Sequence, residues 1–362
     1  MSDKKKSNEG KKSGTSLSLS PDGEGKVLNF KRKRRLTAKD YTDGILSGDR
    51  SVLSRAITLI ESTLPEDSRL SQEIISRCLP HTGESVRIGV TGVPGVGKST
   101  FIESFGLYLT REVKRTVAVL AVDPTSERSK GSILGDKVRM EKLSLHPRAF
   151  IRPSPSAGSH GGVAKNTRAA IMLCEAAGFN TIIVETVGVG QSETTVHSMV
   201  DFFLLLLLTG AGDELQGMKR GIMEMADAVA ITKADGANEK NAELSKKEFQ
   251  NVLHLYPPKE SGWNPAVLTC SSLENKGIAE IWETVAEHRK LTRKTGEFEK
   301  KRRDQSVKWM HEAVLYGLKD KFYNNEMITA HLGKLEKEVA EGKTSPFAAA
   351  QKLLEAYFKN FS

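Results

Sequence analysis

One octapeptide constrains this chain more than anything else in it. Gly92-Val93-Pro94-Gly95-Val96-Gly97-Lys98-Ser99 fits G-x-x-x-x-G-K-[ST], and it lies between an apolar run ending at Thr91 and a helical run from Thr100 to Leu109. That strand-to-helix setting is what turns a glycine-rich string into a phosphate-binding loop. Glycines let successive N–H groups converge on phosphate oxygens, and the helix N-terminus adds positive potential. Gly92, Gly95, Val96 and Gly97 form the expected cradle. Lys98 is expected to bridge the β- and γ-phosphates, Ser99 to bind Mg2+ through its hydroxyl, and Thr100 to sit near the α-phosphate.

The pattern around this loop predicts an α/β fold, a doubly wound, mostly parallel sheet of the P-loop NTPase kind. Short apolar runs alternate with helical stretches from Val86 to about Ala286. The expected strands are Arg87 to Thr91, Val117 to Asp123, Thr181 to Glu185, Phe202 to Leu208, Ala228 to Thr232 and Ala266 to Cys270. Several are continuously apolar, as strands covered on both faces must be. Before them, Ile57, Ile60 and Leu64, then Ile74, Ile75 and Leu79, recur at helical spacing. After His288 come three helix stripes: Val307, Met310, Val314, Leu318 and Phe322; then Leu332, Leu335 and Val339; then Phe347, Ala350, Leu354 and Phe358. Ser345 and Pro346 read as the N-cap and first turn of the last. The expected divisions are a basic disordered tail over 1–35, a helical segment over 36–84, the phosphate-binding domain over 85–289 and a helical arm over 290–362, suited to dimerisation.

Carboxylates narrow the chemistry. Asp123 and Glu185 end two of the expected strands, and the carboxyl ends of adjacent parallel strands converge on a ligand. Both can bind Mg2+ or orient a water, and Gly188 can bring its N–H to a γ-phosphate. Asp136 sits in a polar loop that can swing toward the metal. Lys98, Asp123, Asp136 and Glu185 are therefore the catalytic candidates, with Ser99 and the three acids as metal ligands. Thr232-Lys233-Ala234-Asp235 follows the strand ending at Ile231 in the position of N-K-x-D, whose aspartate accepts from the guanine N1–H and amino group. Lys233 and Asp235 fit. Thr232 replaces the usual Asn, which weakens guanine binding or loosens the loop. Ser271-Ser272-Leu273 resembles the S-A-L loop that backs a guanine base.

Charge and cysteine content exclude other classes. The net charge is +9, but residues 1–35 hold eleven Lys/Arg against four Asp/Glu, so the rest of the chain is nearly neutral. The Lys31-Arg32-Lys33-Arg34-Arg35 cluster reads as a solvated arm, and with no interleaved aromatics no nucleic-acid partner is expected. Three widely spaced cysteines argue against a disulfide framework. The longest apolar run, Phe202 to Leu208, is seven residues, far short of the roughly 20 a spanning helix needs. A cytoplasmic protein without a membrane partner is expected, in preference to one of the mitochondrial matrix.

Several of these segments occur together in a known pattern. They are Gly92 to Ser99, Asp123-Pro124, Gly131 to Met140, Phe150 to Ser156, Glu185-Thr186-Val187-Gly188-Val189-Gly190-Gln191-Ser192-Glu193 and Gly210 to Gly217. From about residue 43 to 358 the chain resembles the MeaB/ArgK family of P-loop GTPases. That resemblance implies a homodimeric, Mg2+-dependent GTPase that binds GTP and GDP. Its task would be to gate adenosylcobalamin loading, from an adenosyltransferase, into an acyl-CoA mutase, typically methylmalonyl-CoA mutase, and to protect that enzyme. It also implies that the segment from Gly210 to Lys219 is a switch reporting nucleotide state to the mutase, with Asp213, Glu214, Gln216 and Lys219 as its coupling residues. The alternative is a metal-insertion GTPase of the related nickel/cobalt class. Its cargo site usually needs clustered Cys or His, which this sequence does not present.

Overall fold

The computed structural model describes residues 35–62, 64–122, 140–153, 160–186, 192–210, 220–257 and 259–359. Residues 37–362 form one compact unit, separate from residues 1–36. Of the second, only Arg35 and Leu36 are described, so the basic tail before them lies outside the described residues, as do Asp123, Asp136, Gly188, Asp213, Glu214, Gln216 and Lys219.

Three helices open the larger unit: α1 (Ala38–Leu46), α2 (Arg50–Ile60) and α3 (Pro65–Cys78). Thr37 and Asp40 form a reciprocal capping box on α1, and the Asp49 carboxylate accepts from the Ser51 and Val52 N–H groups at the start of α2. Leu53, Ala56, Ile57 and Ile74 carry the buried faces. Leu64 and Leu79, which share the expected spacing, are exposed instead. Pro65 both ends the preceding stretch and supplies the first residue of α3, where its missing N–H costs nothing.

The sheet follows: β1 (Val86–Gly92), α4 (Lys98–Arg111), β2 (Val117–Val122), the single turn α5 (Glu141–Ser144), β3 (Ala149–Arg152), α6 (His160–Ala176), β4 (Thr181–Thr186), α7 (Ser192–His197), β5 (Phe202–Leu207), α8 (Arg220–Met225), β6 (Ala228–Ile231), α9 (Glu239–Leu253) and β7 (Ala266–Thr269). Seven parallel strands lie in the order β3-β2-β4-β1-β5-β6-β7. Six match the runs read from sequence. The seventh, β3, is a four-residue edge strand ending in an arginine, too short and too polar at its end to carry a hydrophobic signature.

Both faces are covered, which is why the central strands lack polar alternation. Ile88, Val90, Leu204 and Leu206 pack with Phe101, Phe105 and Leu109 of α4, and with Ile281 and Val285 of α10 (Ile278–Thr295). Leu205, Leu207, Val229 and Ile231 face the other way, toward Met223 of α8 and Phe249 of α9. Cys78, Cys174 and Cys270 are buried and unpaired. Among the described residues no helix is long and apolar enough to cross a membrane.

The amino edge of the sheet is closed by ion pairs. Glu175 of α6 accepts from Arg87 Nε at 2.8 Å, from the Ser85 hydroxyl and from the Gly83 N–H. Asp201 binds Arg302 at 2.5 Å and accepts the Arg87 N–H, while Asp227 binds Lys259 at 2.5 Å.

Helix α10 runs through residue 290 and ends at Gly296, whose φ of +79° breaks the helix cleanly. The chain continues as α11 (Glu297–Tyr323), α12 (Glu326–Ala340) and α13 (Pro346–Phe358). Ser345 caps α13 through the Ala348 N–H. On α11, Val307, Met310, Val314 and Leu318 are all exposed. On α13 the apolar stripe read from spacing is also the outward one, with Phe347 87% exposed. The inward face is Ala349, Leu353 and Tyr357; Leu353 and Tyr357 pack with Ile328 and Phe322. Spacing located the helix, but two apolar faces compete on it, and contact with α12 selects the second.

Candidate active site

The strand order reverses around β1, so the carboxyl ends of β1, β4 and β5 lie side by side at one edge. The glycine-rich loop connects β1 to α4 there. Gly97, the N-cap of α4, adopts φ +96°, and Gly95 adopts φ +82°, left-handed values that other residues resist. At Gly92 a Cβ would lie 2.5 Å from the Leu206 carbonyl oxygen, so the loop can pass over β5 only without a side chain. The first turn of α4 therefore points its unpaired N–H groups into the space enclosed by the loop.

Lys98 is buried, and its ammonium folds back onto that loop, donating to the Gly92 carbonyl at 2.8 Å and to that of Val93 at 3.2 Å. Burial pushes its pKa below the ordinary lysine value, while the charges of Glu185 and Glu193 pull the other way. The Ser99 hydroxyl donates to Glu185 Oε1 at 3.3 Å. Behind this contact the Thr186 hydroxyl donates to that of Thr91 at 2.8 Å, tying the ends of β4 and β1 together. Lys98 and Ser99 at the start of α4 and Glu185 at the end of β4 thus come together at one point.

A second loop flanks the first. Thr232 donates its hydroxyl to the Val96 carbonyl at 2.8 Å, and Lys233 Nζ donates to that of Gly95 at 3.0 Å. The Ser271 hydroxyl holds Asp235 Oδ2 at 2.6 Å. Lys233 has φ +56° and is kept there by Asn238, whose amide donates to the Lys233 carbonyl at 2.7 Å. Thr100, Ser272 and Leu273 line one cavity of about 500 Å³ that runs along α4, together with Ser104 and Tyr108 of that helix. Thr232 and Lys233 are thus tied to the phosphate loop and Asp235 to Ser271, while Ser272 and Leu273 lie on the α4 side.

Sequence reasoning passed over two residues. Glu193, in the first turn of α7, is only 5% exposed, and among the described residues its Oε2 has no hydrogen-bond partner. Its signal was position, two residues beyond Gln191 in a segment that follows Glu185. Asn238 was invisible, because nothing in its spacing tells which carbonyl its amide reaches.

Comparison with known proteins decides what this edge belongs to. Residues 53–327 match the family described as methylmalonyl Co-A mutase-associated GTPase MeaB. The chain belongs to the MeaB family. It is 43% identical to the Escherichia coli GTPase ArgK over 308 residues, 85% of this chain and 93% of the relative. It is 48% identical over 320 residues to a probable GTPase of Mycobacterium tuberculosis, 87% of this chain and 95% of that one. Over 336 residues it is 42% identical to the mouse methylmalonic aciduria type A homolog, mitochondrial, covering 90% and 80% of the two. A crystal structure of a LAO/AO transport system kinase superposes with a TM-score of 0.69 at 36% identity, covering 90% of this chain and 98% of that one. This MeaB-family chain is a P-loop GTPase, and the nucleotide it implies is a guanine nucleotide.

Proposed function

We propose that this MeaB-family GTPase is a chaperone that gates adenosylcobalamin loading into an acyl-CoA mutase and protects the loaded enzyme, methylmalonyl-CoA mutase being the first choice. The observation that carries this is the match of residues 53–327 to a mutase-associated family, on a chain whose Lys98, Ser99 and Glu185 converge at one sheet edge. An adenosyltransferase is the proposed source of the cofactor, and the cytoplasm the proposed setting.

The loop over Gly92, Gly95, Val96 and Gly97 would wrap the phosphates in backbone N–H groups, with Thr100 beside the α-phosphate. Lys98 would leave the loop carbonyls for the β- and γ-phosphate oxygens, a short move for a flexible stem whose charged form burial disfavours and Glu185 and Glu193 support. A hydroxyl beside a carboxylate is an oxygen donor set that suits a hard cation. Ser99 and Glu185, with Asp123 and Asp136, would hold Mg2+, which when bound neutralises charge on the phosphates. Glu185 and the Gly188 N–H would orient the water that attacks the γ-phosphorus as the bond to GDP breaks. Asp235, steadied by Ser271, would accept from the guanine amino edge, with Lys233, Ser272 and Leu273 around the ring.

The segment with Asp213, Glu214, Gln216 and Lys219 would report nucleotide state to the mutase. The exposed stripe of α11 supports a homodimer through the C-terminal arm, since an apolar row of that length needs a cover. The test is GTP turnover with Mg2+, with and without a purified adenosylcobalamin-dependent methylmalonyl-CoA mutase. Slow turnover that accelerates with the mutase is expected. An unchanged rate together with no complex by analytical ultracentrifugation would overturn the chaperone reading and leave the GTPase intact.

A further inference from the structure

Helix α11 is turned the wrong way round for an amphipathic helix. Its apolar row, Val307, Met310, Val314 and Leu318, is exposed, while Lys301 and Gln305 reach the carbonyls of Asp201 and Val200 at the amino edge of the sheet. Lys301, Gln305 and Lys308 stand four and three residues apart, so they share one side of the helix. They line a cavity of about 570 Å³ together with His197 at the end of α7, Asp227 and Lys259. Phe298, 7% exposed, supplies an apolar wall. That volume is ordinary for a small-molecule site. It lies at the opposite ends of the strands from the glycine-rich loop, since Asp201 and Asp227 directly precede β5 and β6.

The polar groups of this cavity are only partly used. Gln305 is 6% exposed, and its Nε2 donates to the Val200 carbonyl at 2.9 Å, which fixes the orientation of the amide. Its Oε1 is buried with no hydrogen-bond partner, so the cavity calls for a donor. Lys301 spends one of its three donors on the Asp201 carbonyl at 2.9 Å. Among the described residues neither Lys301 nor Lys308 has a carboxylate within 4.0 Å. The acids of the lining are already matched: Asp201 meets Arg302 at 2.5 Å, Asp227 meets Lys259 at 2.5 Å, and Glu260 and Glu297 share Lys300. Asp304 is without such a partner among the described residues, and it is exposed. His197 reports the resulting potential. Burial first, then Lys301, lower its pKa from 6.5 to about 4; Asp227 pulls the other way, and Lys259 and Lys308 add to the depression. Its ring meets Phe203 edge-on at 5.5 Å and makes no hydrogen bond among the described residues.

We propose that this cavity is a second small-molecule site, for an anion that carries a hydroxyl group, a phosphorylated or carboxylated polyol. The anionic end sits between Lys301 and Lys308, and the hydroxyl donates to Gln305 Oε1. A bare anion leaves the amide oxygen without a donor, and a neutral polyol leaves the two ammonium groups unmatched. Only the combination uses both. Since α11 roots the C-terminal arm and α7 belongs to the sheet domain, a ligand here ties the arm to that domain. The site is independent of the nucleotide edge.

The test uses the full-length protein at constant ionic strength and follows the Cε1 proton of His197 by NMR, identified by its loss in His197→Gln. This local readout ignores anions held by the basic tail or the glycine-rich loop. The probes are glycerol 3-phosphate and glycerate, with inorganic phosphate and glycerol as the two halves. At least one hydroxy-anion is expected to shift the resonance saturably below roughly 10 mM, and the tighter of the two tells a phosphate from a carboxylate ligand. Inorganic phosphate and glycerol should each bind at least about tenfold more weakly. Lys308→Met and Gln305→Leu should each weaken binding about tenfold. Lys300→Met, whose ammonium Glu297 already holds, should stay within about twofold. No saturation by either hydroxy-anion through that concentration would overturn the proposal. So would equal affinity for inorganic phosphate and glycerol 3-phosphate, or equal losses in Lys300→Met and Lys308→Met, the mark of bulk charge alone. Should Gln305→Leu fail to fold, the exposed Lys308→Met decides the matter against Lys300→Met.

Discussion

Glu175 and Glu185 are two buried glutamates of one sheet, and they live in opposite ways. Glu175 sits at the amino edge with Arg87, Arg302, Ser85 and the Gly83 N–H all directed at it. Burial alone would raise its pKa, yet Arg87 first and Arg302 after it hold the carboxyl below its ordinary 4.5. Glu185, at the carboxyl edge, accepts from the Ser99 hydroxyl and faces the charge of Lys98, whose own ammonium is parked on loop carbonyls. Glu193 nearby keeps one oxygen without a partner among the described residues. A saturated acid such as Glu175 locks elements together, while the buried oxygen of Glu193 marks where something is still to arrive. The same residue type at similar burial is thus tied up in ion pairs on one edge and set beside the glycine-rich loop on the other.

The largest effect expected from the carboxyl edge is that of Lys98→Ala. GTP turnover should fall by roughly a thousandfold with the melting temperature nearly unchanged; retained turnover would show that the buried ammonium has no ligand to meet. The two glutamates then separate by direct exchange. Glu175→Ala strands Arg87, while Arg302 keeps Asp201, and should cost about 3–5 kcal/mol in urea unfolding. Glu185→Gln should leave unfolding within about 1 kcal/mol and lower turnover about a hundredfold. Similar losses of stability in both variants would erase the contrast.

Acid should attack the amino edge in two stages. Burial first, and the nearby Lys301 after it, lower the pKa of His197 from 6.5 to about 4; burial also lowers that of His288. A histidine buried neutral takes up its proton only on unfolding. His197 therefore contributes roughly 3 kcal/mol that is complete above 6.5 and lost as pH falls toward 4. Glu175, Asp201 and Asp227 hold their charge below ordinary values, so their contribution is complete above about 4.5 and goes as pH drops through the depressed values. Stability measured by urea unfolding should decline from pH 6.5 downward and steepen below 4.5. A flat profile between 6.5 and 4.5 would contradict the histidine half. The smallest effect belongs to Gly97→Ala, where open space surrounds the added Cβ and only the left-handed φ resists it. About 1 kcal/mol of stability and a few-fold in GDP affinity are expected, read by calorimetry.

Much of the site was legible because phosphate binding is a local device. Gly95, Gly97, Lys98 and Ser99 lie within five consecutive residues, so backbone conformation and helix dipole follow from a short string. The runs around β1, β4 and β5 were legible because strands covered on both faces lack polar alternation, their few polar residues sitting near the ends. Where two solutions competed, the sequence was silent. The four residues of β3 carry no run, and the stripe Phe347, Ala350, Leu354 and Phe358 looked as fit for burial as the face that α12 covers.

The amino-acid string alone determined the class of fold, the family resemblance and the identity of the phosphate loop, because each depends on neighbours in sequence. Only tertiary structure decided which distant groups meet: Ser99 with Glu185 across 86 positions, Thr232 with Val96 across 136, and Glu175 with Arg87 rather than with a ligand. A side chain's composition says what it can donate or accept. Long-range packing sets who stands opposite, and that alone separates the carboxylate that holds the sheet shut from the one that faces the nucleotide edge.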